Sequence, residues 1–208
     1  MPTPDMALST RKITRYCSER IVRSAFELAS RRRKKVTAIH KANSFHMTDG
    51  LFLEAVRSIA QEYPSVELDD LLVDATTAHL VRNPERFDVL VTENFYGDIL
   101  SDLASELAGS LGLAGSIMAG DNQCCAQAQH GSAPDIQGQD KANPTSVILS
   151  VSMLLKWIGE IKVQAQFSDA GRAINDAVEA VLADSVKPTR DLGGQSGTTA
   201  FTQALSLY

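Results

Sequence analysis

The stretch "NFYGDILSDLASELAGSLG", residues 94–112, decides how the rest of the chain is read. Ile99, Leu100 and Leu103 recur at helical spacing, and two aspartates, Asp98 and Asp102, stand one helical turn apart. Side chains at i and i+4 share one face of a helix. Two readings follow. Acidic groups near the start of a helix complement its positive end. Paired carboxylates also suit magnesium or manganese, which take oxygen ligands and need their charge balanced. Spacing alone leaves both open.

Upstream, "FDVLVTEN" reads as a buried strand, with Gly97 as a turn between it and the helix. Further upstream, Ile21, Val22, Ala25, Phe26 and Ala29 mark a helix over residues 18–30. "VTAIH", Val36 to His40, is a short strand rich in β-branched residues. Asp49-Gly50 reads as a turn before a helix carrying Leu51, Ala55, Val56 and Ile59. "LLVDATTAHLV" begins extended and turns helical before Asn83-Pro84. Downstream, residues 109–138 are rich in Gly, Gln and Ala and read as irregular loops with a short strand at most. Helices are expected over residues 145–158 and 168–185, then a loop and a short closing helix. Strands alternating with helices give the α/β class.

Bulk properties narrow the function classes. The 208 residues are 44% apolar and 22% charged, as in ordinary globular proteins. The net charge of −5 gives no reason to expect a nucleic-acid surface. No apolar run reaches the roughly 18 residues that a membrane span needs. The start, "MPTPDMALSTRK", lacks the order of a secretory signal. Cys17, Cys124 and Cys125 make neither a disulfide framework nor a zinc spacing, so a cytoplasmic setting is the default. "RRRKK", Arg31 to Lys35, is read as the basic end of a helix before a strand rather than as a polyanion site.

Candidate chemistry collects elsewhere. Lys41 follows a strand, beside the polar Asn43, and strand ends are where α/β active sites gather. "VDATTAH" adds a third carboxylate, Asp74. "HGSAPDIQGQDKANP", residues 130–144, is a long polar loop of small residues able to wrap a nucleotide, without a strand–GxGxxG–helix pattern.

These segments, in order, resemble the isocitrate and isopropylmalate dehydrogenase family of β-decarboxylating dehydrogenases. "HKAN", "FDVLVTEN-FYGDILSD", "GSLGL", "HGSAPDI-GQDKANP" and "DLGG" carry the resemblance, from about Ser9 to Tyr208. "VTAIHKANSFHMTDGLFL" is most like the NAD-linked isocitrate and homoisocitrate branches, while "HLVRNP" and "LASELAGSLGL" are more like isopropylmalate dehydrogenase.

The resemblance implies a two-lobed α/β fold, incomplete at the N-terminus. Residues 1–112 would form a dimer-forming, catalytic lobe and residues 113–208 the C-terminal part of the cofactor lobe. It implies Lys41 as the general base, or as the residue that assists a water, with Asn43 near substrate and nicotinamide. Asp74, Asp98 and Asp102 would hold Mg2+ or Mn2+ in a site shared across a homodimer. Lys41 and Asp74 would come from one subunit, Asp98 and Asp102 from the other. His130, Gly131, Ser132, Ala133, Asp135, Ile136 and Asn143 would bind the adenosine half of NAD, with Asp135 selecting a free ribose 2′-hydroxyl. The implied reaction is NAD-dependent oxidative decarboxylation of a 3-substituted malate. An isocitrate or homoisocitrate type of activity, or a non-catalytic chain pairing with a full-length relative, are the alternatives. The family's first strand, glycine loop, substrate-clamping arginines and catalytic tyrosine precede the segment matching Thr10, and Gln127 stands where most relatives have glutamate.

Overall fold

The computed structural model describes residues 3–184 and 187–208. The chain divides into two compact units, Met1–Leu103 and Ala104–Tyr208.

In the first unit, α1 (Arg15–Ser30) leads to β1 (Lys35–His40), α2 (Thr48–Ala60), β2 (Glu67–Leu72), α3 (Val73–Arg82) and β3 (Val89–Val91). Helix α4 (Asn94–Leu107) follows and continues past the division. The three strands form a parallel sheet in the order β2-β1-β3, with Val36 level with Leu68 and Val89. Strand β1 is central and buried on both faces, which is why it reads as a continuous run of apolar and β-branched residues. On one face Val36 and Ala38 pack with Val22 and Phe26 of α1 and with Phe52 and Val56 of α2. On the other, Ile39 packs with Leu80 of α3 and with Tyr96 and Leu100 of α4. Alternation along one strand thus distributes two cores, one per face.

The basic run behaves as expected for a helix end. Arg31 caps α1, and Lys34 sits in the left-handed region at φ 61°. Arg32 donates to Oδ1 of the buried Asp88 at 2.9 Å, and Arg33 donates to the Glu85 carbonyl at 2.9 Å. The run therefore ties α1 to the segment that enters β3.

Two expectations are corrected. Asp49-Gly50 is not a turn: both residues lie in the first turn of α2. Gly97 is not a turn either. It lies in the first turn of α4, where a Cβ would meet only Thr92 Cγ2 at 3.6 Å.

The second unit contains a hairpin that the glycine- and glutamine-rich composition concealed. Strands β4 (Gly115–Ala119) and β5 (Cys124–Ala128) pair antiparallel, with Ile117 opposite Ala126. Helix α5 (Thr145–Lys162) covers both strands and packs on α6 (Ala165–Leu182), which in turn meets α7 (Thr198–Leu205). The last expected helix residue in this region, Ser185, lies outside the described residues.

Serines on α5 replace the backbone partners that a wider sheet would give. The Ser116 N–H donates to Ser150 Oγ at 2.9 Å, and that hydroxyl lies 2.8 Å from the Gln127 carbonyl. One turn earlier, Ser146 Oγ donates to the Ala114 carbonyl and accepts from the Gln129 N–H at 3.2 Å. Buried backbone groups need partners, and side-chain hydroxyls supply them here. Gly115 completes the approach, since a Cβ there would lie 2.9 Å from Leu149 Cβ.

Small residues also set the α5–α6 contact. Ser152 Oγ lies 2.7 Å from the Gly171 carbonyl. No helix among the described residues is long and apolar enough to cross a membrane. A Cβ at Gly171 would lie 2.7 Å from the Ser152 carbonyl oxygen, a backbone atom that can yield only if the helices separate. We therefore expect Gly171→Ala to lower stability by about 1–3 kcal/mol despite alanine's better helix propensity. Urea denaturation checks this, and an unchanged midpoint would count against the close approach.

Candidate active site

Parallel, in-register pairing places the candidate residues. His40 ends β1 level with Leu72, which ends β2. The next residues, Lys41 on one chain segment and Val73-Asp74 on the other, therefore emerge side by side at the carboxyl edge of the sheet. Lys41 Nζ donates to Asp74 Oδ2 at 2.7 Å. The lysine's hydrogen bond, ahead of the opposing effect of desolvation, holds the Asp74 carboxyl below the usual carboxylate range. Asn43 lies on the exposed turn after Lys41, whose carbonyl accepts from the Ser44 and Phe45 N–H groups, each at 2.9 Å.

Two side chains immobilise that turn. The Lys41 N–H donates to Asp49 Oδ2 at 2.6 Å, and the Ala42 N–H donates to His40 Nδ1 at 3.0 Å. Because His40 Nδ1 accepts, Nε2 carries the proton, and it faces Asp70 Oδ2 at 3.2 Å. Thr92, just past β3, donates to the Ile39 carbonyl at 2.9 Å and closes the other side of the strand end.

Asp98 and Asp102 are exposed on α4. Asn94 Nδ2 donates to Asp98 Oδ2 at 3.2 Å. Asp74, Asp98 and Asp102 do not form one ligand group within a single chain: no cluster of three such side chains able to hold a metal ion occurs among the described residues. Two exposed carboxylates on one helix face suit the oxygen preference of a hard dication.

A buried polar cluster beneath Lys41 escaped the sequence. Asp49 is fully buried, and Glu93 is nearly so at 6% side-chain exposure. Arg11 serves both. It pairs with Asp49 Oδ1, and its Nη1 lies 2.7 Å from Glu93 Oε2, although neither Glu93 oxygen has an aligned hydrogen bond. Arg11 also donates to Thr48 Oγ1 at 2.9 Å and to the Tyr96 hydroxyl at 3.2 Å. One cation thus faces two buried carboxylates. Burial first, then the charge of Asp49, pushes the Glu93 carboxyl up, against the pull of Arg11. The available signal was a glutamate two residues past a buried strand.

In the second unit the polar loop is open but anchored at its far end. Gly131, Ser132, Ala133 and Asp135 are exposed, and Ile136 is half-buried. A Cβ on Gly131 would meet nothing within 4 Å. His130 Nδ1 lies 2.9 Å from the Gly131 carbonyl. Ala133 adopts φ 39° before the short helical turn Pro134–Ile136. Asp140 Oδ1 accepts from both the N–H and the hydroxyl of Thr199 at 2.8 Å, capping α7 from outside. Asn143 is buried. Its Oδ1 accepts from the Thr145 N–H at 3.0 Å and its Nδ2 donates to Asp191 Oδ2 at 2.9 Å. Gly112 is required there, because a Cβ would lie 2.8 Å from Asn143 Cβ. Small exposed residues, an outward carboxylate at Asp135 and a fixed base make a segment whose chemistry suits a dinucleotide's ribose and base.

A parallel sheet with a lysine–carboxylate pair at its carboxyl edge, and two further aspartates on a following helix, define an α/β protein with an enzyme-like site. The model of the isocitrate/isopropylmalate dehydrogenase family matches residues 2–205, and the chain belongs to that family of oxidoreductases. Among curated relatives, 3-isopropylmalate dehydrogenase of Sulfurisphaera tokodaii is 47% identical over 93% of this chain and 57% of its own length. Homoisocitrate dehydrogenase of Methanocaldococcus jannaschii is 50% identical over 93% of this chain and 54% of its own. The crystal structure of isocitrate dehydrogenase from Methylococcus capsulatus superposes with a TM-score of 0.87 at 48% identity, covering 95% of this chain and 57% of that one. The chain thus spans somewhat more than half the length of these relatives.

Glu93 gives the buried cluster a pH signature. A carboxyl whose pKa is higher folded than unfolded makes the protein less stable as pH rises through that interval. Glu93 is such a group, so its contribution is most favourable in acid and declines toward neutral pH. Glu93→Gln should therefore flatten the fall in stability above about pH 4, the range in which an unperturbed glutamate ionises. Denaturation of both proteins across pH 4–8 checks this, and parallel pH profiles would contradict it.

Proposed function

We propose that this chain provides catalytic and cofactor-binding parts for the NAD-dependent oxidative decarboxylation of a 3-substituted malate. In that reaction the substrate is oxidised at C2 and loses its C3 carboxylate as carbon dioxide. The observation that carries the reading is the Lys41–Asp74 pair at the carboxyl edge of the sheet. A lysine fixed at that edge is placed to exchange a proton with a substrate hydroxyl.

In this reading Lys41 exchanges the C2 hydroxyl proton, directly or through a water, while Asp74 holds the amine in place. Asn43, exposed on the same turn, faces substrate and nicotinamide. Asp98 and Asp102 of one subunit and Asp74 of the other would hold Mg2+ or Mn2+, so the protein would act as a homodimer with shared sites. The exposed Phe95 and Ile99, flanking Asp98 on α4, support an apolar contact between copies. His130, Gly131, Ser132, Ala133, Asp135, Ile136 and Asn143 would hold the adenosine half of the dinucleotide. The exposed Asp135 favours NAD, because a carboxylate accepts from a ribose 2′-hydroxyl and repels a 2′-phosphate. When bound, the dinucleotide supplies a two-electron acceptor and the dication supplies Lewis-acid stabilisation of developing oxygen charge. All three cysteines are free thiols, which suits a cytoplasmic setting.

Relatives named for isopropylmalate and for homoisocitrate are almost equally similar, so the substituent on malate is left as a class. The same exposed α4 face also favours a second reading, a chain that pairs with a full-length relative without turning over substrate itself. Two measurements separate the readings. Manganese titration should show weaker binding in Asp98→Asn and in Asp102→Asn than in the unchanged chain; equal affinity in all three would remove the metal assignment. Fused to the remaining segment of a close relative, the chain should show NAD- and metal-dependent turnover, and Lys41→Ala should lower kcat by about 100-fold or more. A fused protein inert with isopropylmalate, isocitrate and homoisocitrate favours the non-catalytic reading.

A further inference from the structure

We propose that Asp49 is a positioning residue that fixes the Lys41 turn and the aspartate-bearing helix α4 to one buried carboxylate. The inference rests on the reading of Lys41 as the proton-transfer group. No motif of the sequence pointed to this role.

The geometry is specific. Oδ2 of Asp49 accepts from the Lys41 N–H at 2.6 Å and from the Tyr96 hydroxyl at 3.3 Å. Lys41 begins the turn after β1, whereas Tyr96 lies on α4 two residues before Asp98. A single oxygen thus touches both the Lys41 turn and the helix that carries Asp98 and Asp102 within the first unit. Oδ1 is held from the other side by Arg11 and by the Thr48 hydroxyl at 3.2 Å. Asp49 itself is fixed by its place in the first turn of α2.

Charge makes this more than packing. A buried carboxylate is costly unless it is paired and hydrogen-bonded. Asp49 meets that cost with a backbone N–H, a guanidinium and two hydroxyls, so its position is strongly determined. Hydrogen bonds to an ionised acceptor are shorter and stronger than neutral ones. The Lys41 peptide is therefore held more firmly than a turn closed by neutral contacts. Its neighbour is held separately, by His40. Arg11 is stacked at 4.8 Å over the exposed Phe45 ring of the same turn, which couples the cation to the segment it helps position.

Nuclear magnetic resonance of the 15N-labelled 208-residue chain tests this without requiring turnover. In the unchanged protein the Lys41 amide proton should lie downfield and exchange slowly. Asp49→Asn keeps the shape but removes the charge. It should move the Lys41 amide upfield and speed its exchange about tenfold, the difference between a charge-assisted and a neutral bond. The amides of Val36, Ala38 and Ile39 in β1 should keep their protection. If Asp49→Asn does not fold, Arg11→Gln, at a partly exposed position, should speed Lys41 exchange several-fold with the same selectivity. An unmoved Lys41 amide in a folded variant overturns the proposal, and so does equal acceleration throughout β1, which would indicate general structural support alone. Failure of Lys41→Ala to lower turnover in the fused protein would instead overturn the reading of Lys41 and leave the amide result intact.

Discussion

The parallel register of β1 against β2 is the constraint on which the candidate site depends. Leu72 level with His40 brings the two strand ends out together, and the ion pair of Lys41 with Asp74 follows from that single alignment. In a parallel sheet a register slip by one residue would turn every side chain of β1 to the opposite face. Slippage is resisted because both faces are committed. Val36 and Ala38 are packed under α1 and α2, and Ile39 is packed under α3 and α4. The apolar cores therefore determine where a lysine and an aspartate meet, although neither belongs to a core.

Polar contacts then refine what the register makes possible. His40, Asp49 and Thr92 each take or give a hydrogen bond at the end of β1, and each comes from a different part of the first unit. Removing backbone freedom at a strand end is what the role proposed for Lys41 would need, because misplacement of about 1 Å is costly in rate. The second unit uses the same device at another scale. Asp140 accepts from the Thr199 N–H in the first turn of α7 and Asn143 from the first N–H of α5, so the polar loop proposed to meet the dinucleotide is tied to two helix N-termini at its downstream end. Its upstream residues, Gly131 to Asp135, stay exposed.

Much of this was legible in the sequence, for a physical reason that also explains the failures. Periodicity reports burial of apolar side chains. Helix α1, strand β1 and helices α5 and α6 accordingly stand close to where their spacing put them. The hairpin β4–β5 was hidden because all its residues but Ile117 and Met118 are Gly, Ser, Ala, Gln and Cys, and the serines of α5 rather than a wide sheet satisfy its backbone. Gly50 and Gly97 misled because glycine is a common breaker, yet each sits in the first turn of a helix. Lys41 was visible next to a predicted strand end, and Asp98 and Asp102 as a carboxylate pair on one helix face, with Asp74 as a third carboxylate. Asp49 and Glu93 were not, since their partner Arg11 is distant in the chain and a glutamate just past a buried strand does not by itself announce a buried ion pair.

That pair is unbalanced, and the imbalance bears on why it sits where it does. One guanidinium serves two carboxylates, so the cluster carries an excess negative charge unless Glu93 binds a proton. Buried ionic groups are weak devices for stability, because desolvation offsets most of their attraction. An apolar replacement of similar volume would serve a core as well. It could not hold the Lys41 N–H, accept from Tyr96 on α4 and orient Arg11 at the same time. The charge beneath the lysine turn is thus better explained by the geometry it imposes on the site above it than by any contribution to holding the sheet together.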